Sequence, residues 1–250
     1  MIAMTPSEKP WHEKEEFWED NPFPEKIIER AENEVSRLIE LVDANEDMKV
    51  LDLCCGVGRH SIEFAKRGYD VTGVDKTGHY LQDARQRAKE EGADIEFVKD
   101  DMRDFKRNEK FDIVINLFTS FGYFEEEEEN VKVLENVYES LKTDGKFILD
   151  VMGKEIIARI FIEKDWNEFE GDFKLMERSI EKDWSWLNNR RIKITDEGVK
   201  EYNVSHWLCS AKELKDMLKN VGFSSVDVYG GIDGRDYDEE ADRLVVVGKK

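Results

Sequence analysis

The sequence predicts an α/β protein built on a doubly wound, mostly parallel sheet. From residue 50 to residue 151, apolar runs of strand length alternate with segments of helical periodicity. This alternation is typical of repeated strand, helix and strand units, whose helices cover the faces of a parallel sheet. The first run, residues 50–53, leads into a turn containing Gly56 and Gly58 and then into a helix that begins near Ser61. Such a turn brings backbone N–H groups close to a ligand.

The length favours a single domain. At 250 residues, of which 40% are hydrophobic, the chain holds enough apolar side chains for one sizeable core. We expect one domain over residues 1–250, with a helical N-terminal arm over residues 1–45 and a lid inserted at about residues 153–209.

The composition argues against nucleic acid, metal and membrane partners. The chain has 38 Lys and Arg against 58 Asp and Glu, a formal charge of −20, and shows no basic cluster that would attract a phosphate backbone. The cysteines, Cys54, Cys55 and Cys209, match neither a disulfide framework nor a zinc site, so we expect a reducing, cytoplasmic compartment. The apolar runs are shorter than the roughly 20 residues of a membrane span, and residues 1–10 do not resemble a signal peptide.

The elements of the first part follow from periodicity and turn residues. Residues 7–20 mix acids with Trp11, Phe17 and Trp18, and a proline-containing stretch separates them from an amphipathic helix over about residues 25–42. The aromatic arm is a candidate flap over the ligand. Strands are predicted at 50–53, 70–75, 95–98, 111–116 and 146–151, with helices at 61–66, 81–91 and 125–141.

The second part departs from this alternation. Three apolar runs around residues 173–180, 188–195 and 199–208 predict an antiparallel meander that stands over the strand ends as a lid. Its aromatic side chains either bind an apolar or cationic acceptor or pack the small sheet onto the large one. A helix at 211–220 and an antiparallel pair at 223–229 and 243–247 complete a seven-stranded main sheet.

Four polar residues are predicted at the carboxyl ends of the parallel strands, where such sheets bind ligands: Asp52, Asp75, Asp101 and Asn116. Asp75 lies 19 residues after Gly56, a distance that suits a carboxylate binding both hydroxyls of a ribose. Asp100 is adjacent to Asp101 and is the alternative if the register differs by one.

The glycine pattern separates two classes of ligand. A dinucleotide fingerprint needs a third glycine after Gly56 and Gly58, and Ser61 stands in its place. A pyrophosphate is also repelled by Asp52 beneath the turn, whereas an adenosyl donor that carries an ammonium and a sulfonium is attracted by acids. The sequence therefore favours a cationic donor over a dinucleotide.

Four motifs in order resemble those of class I S-adenosylmethionine-dependent methyltransferases. Residues 52–58 resemble the first motif, an acid followed by alternating glycines, with Cys54 in the place of the first glycine. Residues 73–75 resemble the second motif, Asp101 and Met102 the pair that follows the third strand, and residues 116–123 the fourth motif.

This resemblance implies a Rossmann-like methyltransferase fold, S-adenosyl-L-methionine as the cofactor, and roles for individual residues. Asp75 would bind the ribose, Asp101 the adenine amino group, and the backbone N–H of Met102 a ring nitrogen. Residues 116–123 would lie beside the methionine moiety and the acceptor. The predicted cofactor-binding residues are Asp52, Cys54, Gly56, Gly58, Arg59, Asp75, Lys76, Asp101, Met102, Asn116 and Leu117.

The stretches 101–105 and 116–124 resemble the branch that methylates small molecules, which includes sugar-amine and glycine-type N-methyltransferases. The resemblance implies in-line methyl transfer to a nitrogen or oxygen of a small-molecule acceptor. Tyr123 and His206 are the candidate base or orienting groups. An RNA or protein methyltransferase is the alternative, which the net charge and the lack of an evident recognition domain disfavour. A non-catalytic binder of S-adenosylmethionine or a different nucleotide enzyme is a third.

Overall fold

A mixed seven-stranded sheet forms the centre of the computed structural model, which describes residues 10–20, 23–169 and 171–250. Its strands, in chain order, are β1 (Lys49–Leu53), β2 (Asp70–Asp75), β3 (Ile95–Lys99), β4 (Phe111–Asn116), β5 (Leu141–Val151), β10 (Ser225–Tyr229) and β11 (Leu244–Lys249). They lie in the order β10-β11-β5-β4-β1-β2-β3, and β11 alone runs opposite to its neighbours. The predicted doubly wound fold is confirmed.

Helices cover both faces of this sheet and surround its apolar strands. They are α1 (Glu15–Glu19), α2 (Glu25–Ile28), α3 (Ala31–Val42), α4 (Arg59–Lys66), α5 (Gly78–Glu90), α6 (Glu127–Ser140), α7 (Lys154–Ile160) and α8 (Ala211–Val221). A short 3₁₀ turn, Trp11–Glu13, precedes α1. No helix in the described part of the chain is long and apolar enough to cross a bilayer.

The helix predicted over residues 25–42 is divided into α2 and α3. The guanidinium of Arg59 donates to the carbonyl of Ile27 at 3.1 Å, next to the point where the two helices meet. The periodicity of the sequence does not indicate this division.

Strand β5 begins earlier than predicted. Leu141 pairs with Phe111, whereas Ile113 pairs with Lys146, so the predicted turn at residues 143–145 persists as a bulge within the strand. Helix α7 was not predicted from the sequence.

A separate antiparallel sheet stands over the carboxyl ends of the parallel strands. It consists of β6 (Lys164–Phe169), β7 (Asp172–Glu181), β8 (Trp186–Thr195) and β9 (Gly198–Trp207), in that order. Three of its strands were predicted, and β6 was not. We call this sheet the lid.

The lid is attached to the main sheet at Gly122, in the loop after β4. The backbone N–H of Trp207 donates to the Gly122 carbonyl at 2.6 Å. Gly122 has φ +95°, and a Cβ there would lie 2.7 Å from the carbonyl oxygen of Trp207. Only glycine combines this conformation with so close an approach.

The described part of the N-terminal arm, residues 10–20, lies between the lid and the main sheet. The Trp11 indole donates to the carbonyl of Ser205 at 3.0 Å, and Lys200 forms an ion pair with Asp20 at 2.6 Å. Tyr202 also donates a hydrogen bond to Asp20. The arm and the lid thus cover the sheet edge together.

Replacing Gly122 by Ala should loosen the lid. The left-handed conformation costs a non-glycine residue about 1–2 kcal/mol, and the clash with Trp207 adds to it, so we expect a loss of about 2–4 kcal/mol in unfolding free energy. Gly92→Ala is the matched control, because Gly92 has φ +67° and no atom within 4 Å of its added Cβ. Urea titration measures both variants, and equal losses would contradict the assigned contact.

Candidate active site

A cavity of about 280 Å³ opens at the carboxyl ends of β1, β2 and β4. We call it the first cavity. It is bounded below by the turn after β1 and above by the N-terminal arm and the loop after β4. Of the predicted cofactor-binding residues, those that line it are Asp52, Cys54, Gly56, Arg59, Asp75, Lys76, Asp101, Met102 and Leu117.

The turn after β1 depends on left-handed backbone at three positions. Cys54, Gly56 and Gly58 have φ values of +65°, +56° and +73°. Cys54 therefore keeps the conformation that a glycine would supply in the motif it resembles, although a side chain makes this conformation unfavourable. Added Cβ atoms would meet the Phe23 ring at Gly56, and Ala84 and Phe97 at Gly58, each at 3.0 Å. Gly56 thus faces the first cavity, whereas Gly58 allows close packing of the scaffold.

Asp75, at the end of β2, is held in place by two backbone groups. Its Oδ2 accepts from the Gly56 N–H at 2.9 Å and its Oδ1 from the Thr77 N–H at 2.8 Å. A carboxylate has about four acceptor positions, and these N–H groups together with the Thr77 hydroxyl use three of them, so acceptor capacity remains for a ligand. Burial raises the pKa of Asp75, and hydrogen bonds from Thr77 and Gly56 oppose this rise.

Asp52 is the second buried carboxylate beneath the turn. It accepts from the Ser61 hydroxyl at 2.6 Å, and burial raises its pKa as well. Two desolvated carboxylates at one end of a cavity are stabilised by a positively charged ligand and destabilised by a phosphate. The electrostatics of the first cavity therefore match the cationic donor expected from the sequence.

Asp101 rather than Asp100 reaches the first cavity. Arg103 binds both carboxylate oxygens of Asp101, its Nε at 3.0 Å and its Nη2 at 2.9 Å. Although burial alone would raise the pKa of Asp101, the hydrogen bonds from Arg103 lower it. Met102 follows directly and lines the same wall.

Basic residues stand at both ends of the cavity. Arg59 and His60, at the start of α4, both bind Glu34 of α3, and the distance from His60 Nε2 to Glu34 Oε2 is 2.8 Å. At the other end, the Lys76 ammonium lies 3.3 Å from Nδ1 of His12. Burial, followed by the charges of Lys76 and Arg103, lowers the pKa of His12 to about 4, so this ring is neutral at pH 7.

Two predicted cofactor-binding residues do not line the first cavity. Gly58 packs against α5 and β3 as described above. Asn116 lies beneath the floor, where its Nδ2 donates to the Leu53 carbonyl at 3.2 Å and its Oδ1 is buried without a hydrogen-bond partner. Asn116 therefore supports the end of β1.

A second cavity, of about 350 Å³, adjoins the first beneath the lid. Its wall includes His206 of β9 and Asn189 of β8. The residues that line both cavities mark the junction between them: Phe17, Trp18, Phe118, Tyr123 and Arg191. The predicted catalytic residues Tyr123 and His206 are thus close together, with ring centroids 5.2 Å apart.

Two residues in the loop after β4, at the junction, have a strained left-handed backbone conformation. Phe118 and Thr119 have φ values of +60° and +61°. Asp150 holds them there, since its Oδ2 accepts from the Phe118 N–H at 3.0 Å and its carbonyl accepts from the Thr119 N–H at 2.9 Å. Arg243 in turn binds Asp150 Oδ1 at 2.6 Å.

Sequence reasoning missed several residues of this site. Glu34 and His12 contribute through contacts between distant segments, which no local pattern indicates, whereas Thr77 acts through its backbone N–H on Asp75, two residues earlier. Arg191 lies next to Arg190 in β8, a strand of the lid. Only the alternation of side chains between the two faces of β8 could have indicated that Arg191 faces the site and Arg190 does not.

Thiol and metal chemistry have no support in this site. Burial raises the pKa of Cys54 and Cys55 well above the usual value, so both remain protonated thiols at pH 7. Across residues 10–20, 23–169 and 171–250, no three His, Cys, Asp or Glu side chains are grouped as metal ligands would be.

Comparison with known proteins identifies the domain that carries this geometry. Residues 50–145 match the family model described as a methyltransferase domain. The chain is 29% identical over 224 residues to a glycine/sarcosine N-methyltransferase of Aphanothece halophytica, covering 88% of this chain and 83% of that protein. It is 31% identical over 119 residues to a dTDP-3-amino-3,4,6-trideoxy-alpha-D-glucopyranose N,N-dimethyltransferase of Streptomyces venezuelae, covering 47% and 48%.

A solved structure shares the fold of nearly the whole chain. The crystal structure of an S-adenosylmethionine-dependent methyltransferase from Clostridium acetobutylicum superposes with a TM-score of 0.76 at 16% identity, covering 88% of this chain and 91% of that one. Residues 50–145 therefore match a methyltransferase domain, and the chain as a whole has the Rossmann-like fold of the solved methyltransferase.

Proposed function

We propose that the chain transfers a methyl group from S-adenosylmethionine to a nitrogen or oxygen of a small-molecule acceptor, with the donor in the first cavity and the acceptor in the second. The observation that carries this proposal is the junction at Tyr123, where a cavity with buried carboxylates at its floor opens into one covered by the lid. The named N-methyltransferase relatives support a small acceptor. With its three cysteines free, the chain suits a reducing compartment, and we place it in the cytoplasm.

The donor supplies an activated methyl group on a sulfonium, so the protein gains most by alignment and by exclusion of water. Asp75 offers its remaining acceptor capacity to the ribose hydroxyls. Asp101 and Met102 offer a carboxylate and a backbone N–H to an adenine. Asp52 lines the same cavity, and a cationic ligand there favours its charged form over the neutral form that burial favours.

The residues at the junction are suited to orienting a neutral nucleophile. Burial raises the pKa of Tyr123 well above its ordinary value, so its phenol keeps its proton and donates a hydrogen bond. Burial, followed by the positive charge of Arg191, lowers the pKa of His206 to about 3, so its ring is neutral and accepts a hydrogen bond. Neither group is a strong base at pH 7, which favours an amine over a hydroxyl acceptor.

The alternative of an RNA or protein acceptor has less support. The arm and the lid cover the second cavity, and the chain carries a net charge of −20, which repels a phosphate backbone. A long polymer would need an open groove at the junction.

Labelled methyl transfer tests the proposal directly. The protein is incubated with methyl-labelled S-adenosylmethionine and, separately, with a cell metabolite pool, bulk tRNA or a peptide mixture. We expect label only in metabolites, and a kcat lowered roughly 10- to 100-fold in Tyr123→Phe. Transfer to tRNA or peptides alone would contradict the proposal, and an unchanged kcat would remove Tyr123 from the mechanism.

Asp75→Asn should weaken donor binding. An amide nitrogen cannot accept a hydrogen bond from a hydroxyl, and a charge-assisted bond contributes about 1.5–3 kcal/mol, so we expect the Kd for S-adenosylhomocysteine to rise about 10- to 100-fold. Asp70→Asn, at the exposed opposite end of β2, is the matched control and should change the Kd less than two-fold. Isothermal titration calorimetry measures both, and equal Kd values for the two variants would refute the assigned role.

His206→Asn should make the fold less sensitive to acid. The pKa of His206 is about 3 in the folded protein and near 6.5 in the unfolded chain, so the unfolded state takes up this proton first. The stability contributed above pH 6.5 is therefore lost progressively as the pH falls toward 3. Between pH 7.5 and pH 5 the wild type should lose about 2 kcal/mol of unfolding free energy that the variant keeps. Urea titrations at both pH values measure this difference, and equal losses would show that the ring is not buried as described.

A further inference from the structure

The inner face of the lid presents an arginine for which the described residues supply no counter-ion. Arg191 lies on β8, opposite Tyr202 of β9, and its side chain lines both cavities. Its Nε is buried without a hydrogen-bond partner, and no ion pair to it occurs within the described ranges. Burial, followed by the charge of Arg178, lowers its pKa, which is the response of a cation in an unfavourable environment.

The other arginines near the lid cavity are all paired. Arg178 forms an ion pair with Asp165 at 3.2 Å, and Arg243 forms one with Asp150 at 2.6 Å. Arg190, the neighbour on the outer face, binds Glu201 at 2.7 Å and Glu177 at 3.3 Å. In a chain with an excess of acids, leaving one half-buried guanidinium without an ion pair among the described residues is unfavourable unless a ligand supplies the anion.

A second unpartnered polar group lies beside it. Asn189 is two residues before Arg191, on the same face of β8, and it is buried. Its Oδ1 has no hydrogen-bond partner. Asn189 lines the second cavity and not the first, so the pair of groups points to the acceptor rather than to the donor.

We propose that Arg191 and Asn189 form a subsite in which Arg191 binds a carboxylate and Asn189 the donor group next to it, and that the acceptor is a small carboxylate-bearing molecule whose nucleophilic atom reaches Tyr123. This inference rests on the proposed function for the assignment of the two cavities. A single guanidinium balances a single negative charge, and its planar fork matches a carboxylate. Asn189 then accepts from an N–H or O–H group next to that carboxylate. A diphosphate would bring more charge than this subsite neutralises.

The stability of the unliganded protein gives a test that needs no substrate. Arg191→Met removes an unpaired cation and keeps an apolar stem of similar length, so we expect the Tm to rise by about 2–4 °C. Arg190→Met, which loses only exposed ion pairs, should leave the Tm nearly unchanged. A lower Tm for Arg191→Met than for Arg190→Met would show that Arg191 is a structural residue and would overturn the subsite.

Ligand-induced shifts in Tm test the chemistry of the subsite, with benzoate and benzamide as probes of equal shape. In the presence of S-adenosylhomocysteine, benzoate should raise the Tm of the wild type and of Arg190→Met, and benzamide should not. The benzoate shift should be lost in Arg191→Met. A missing benzoate shift, or an equal shift with benzamide, would overturn the proposal.

The same samples separate this inference from the proposed function. If S-adenosylhomocysteine itself produces no shift in the wild type, the donor assignment fails. If it produces a shift that Arg191→Met abolishes, Arg191 binds the carboxylate of the donor and the acceptor subsite is refuted. A donor shift retained in Arg191→Met, together with loss of the benzoate shift, supports the subsite.

Discussion

The candidate site depends on one buried carboxylate being fixed between two strands of a parallel sheet. Asp75 closes β2 and is bonded to the N–H groups of Gly56 and Thr77. These hydrogen bonds connect the turn after β1 to the end of β2. The floor of the first cavity is therefore preorganised in the absence of a ligand. Because burial raises its pKa while the backbone N–H groups oppose this rise, Asp75 is an acceptor that a hydroxyl-rich, cationic ligand stabilises further.

The lid, the N-terminal arm and the loop after β4 cover the first cavity on the side opposite this floor. Gly122 lets the lid approach the loop after β4, and Asp20 joins the N-terminal arm to the lid through Lys200 and Tyr202. The strained residues Phe118 and Thr119 stand between the two cavities, held by Asp150. Strain at such a place persists only where surrounding contacts impose it, and it is common at functional sites. The arm, the lid and this loop together form the walls of the junction between the two cavities.

The sheet and its acidic rim could be predicted because both follow from local patterns. Apolar runs that end on an acid mark the carboxyl ends of parallel strands, and those ends meet at one edge, which brings Asp52, Asp75 and Asp101 together. Long-range contacts could not be predicted. Arg59 reaches the Ile27 carbonyl across 32 residues of sequence, and Asn116 donates to the carbonyl of Leu53, contacts that no local pattern indicates.

A crystal structure grown with S-adenosylhomocysteine tests the central claim most directly. The account predicts electron density for the ligand in the first cavity, with both ribose hydroxyls within hydrogen-bond distance of the Asp75 carboxylate and the sulfur facing Tyr123. Density elsewhere, or a ribose that makes no contact with Asp75, would contradict the account.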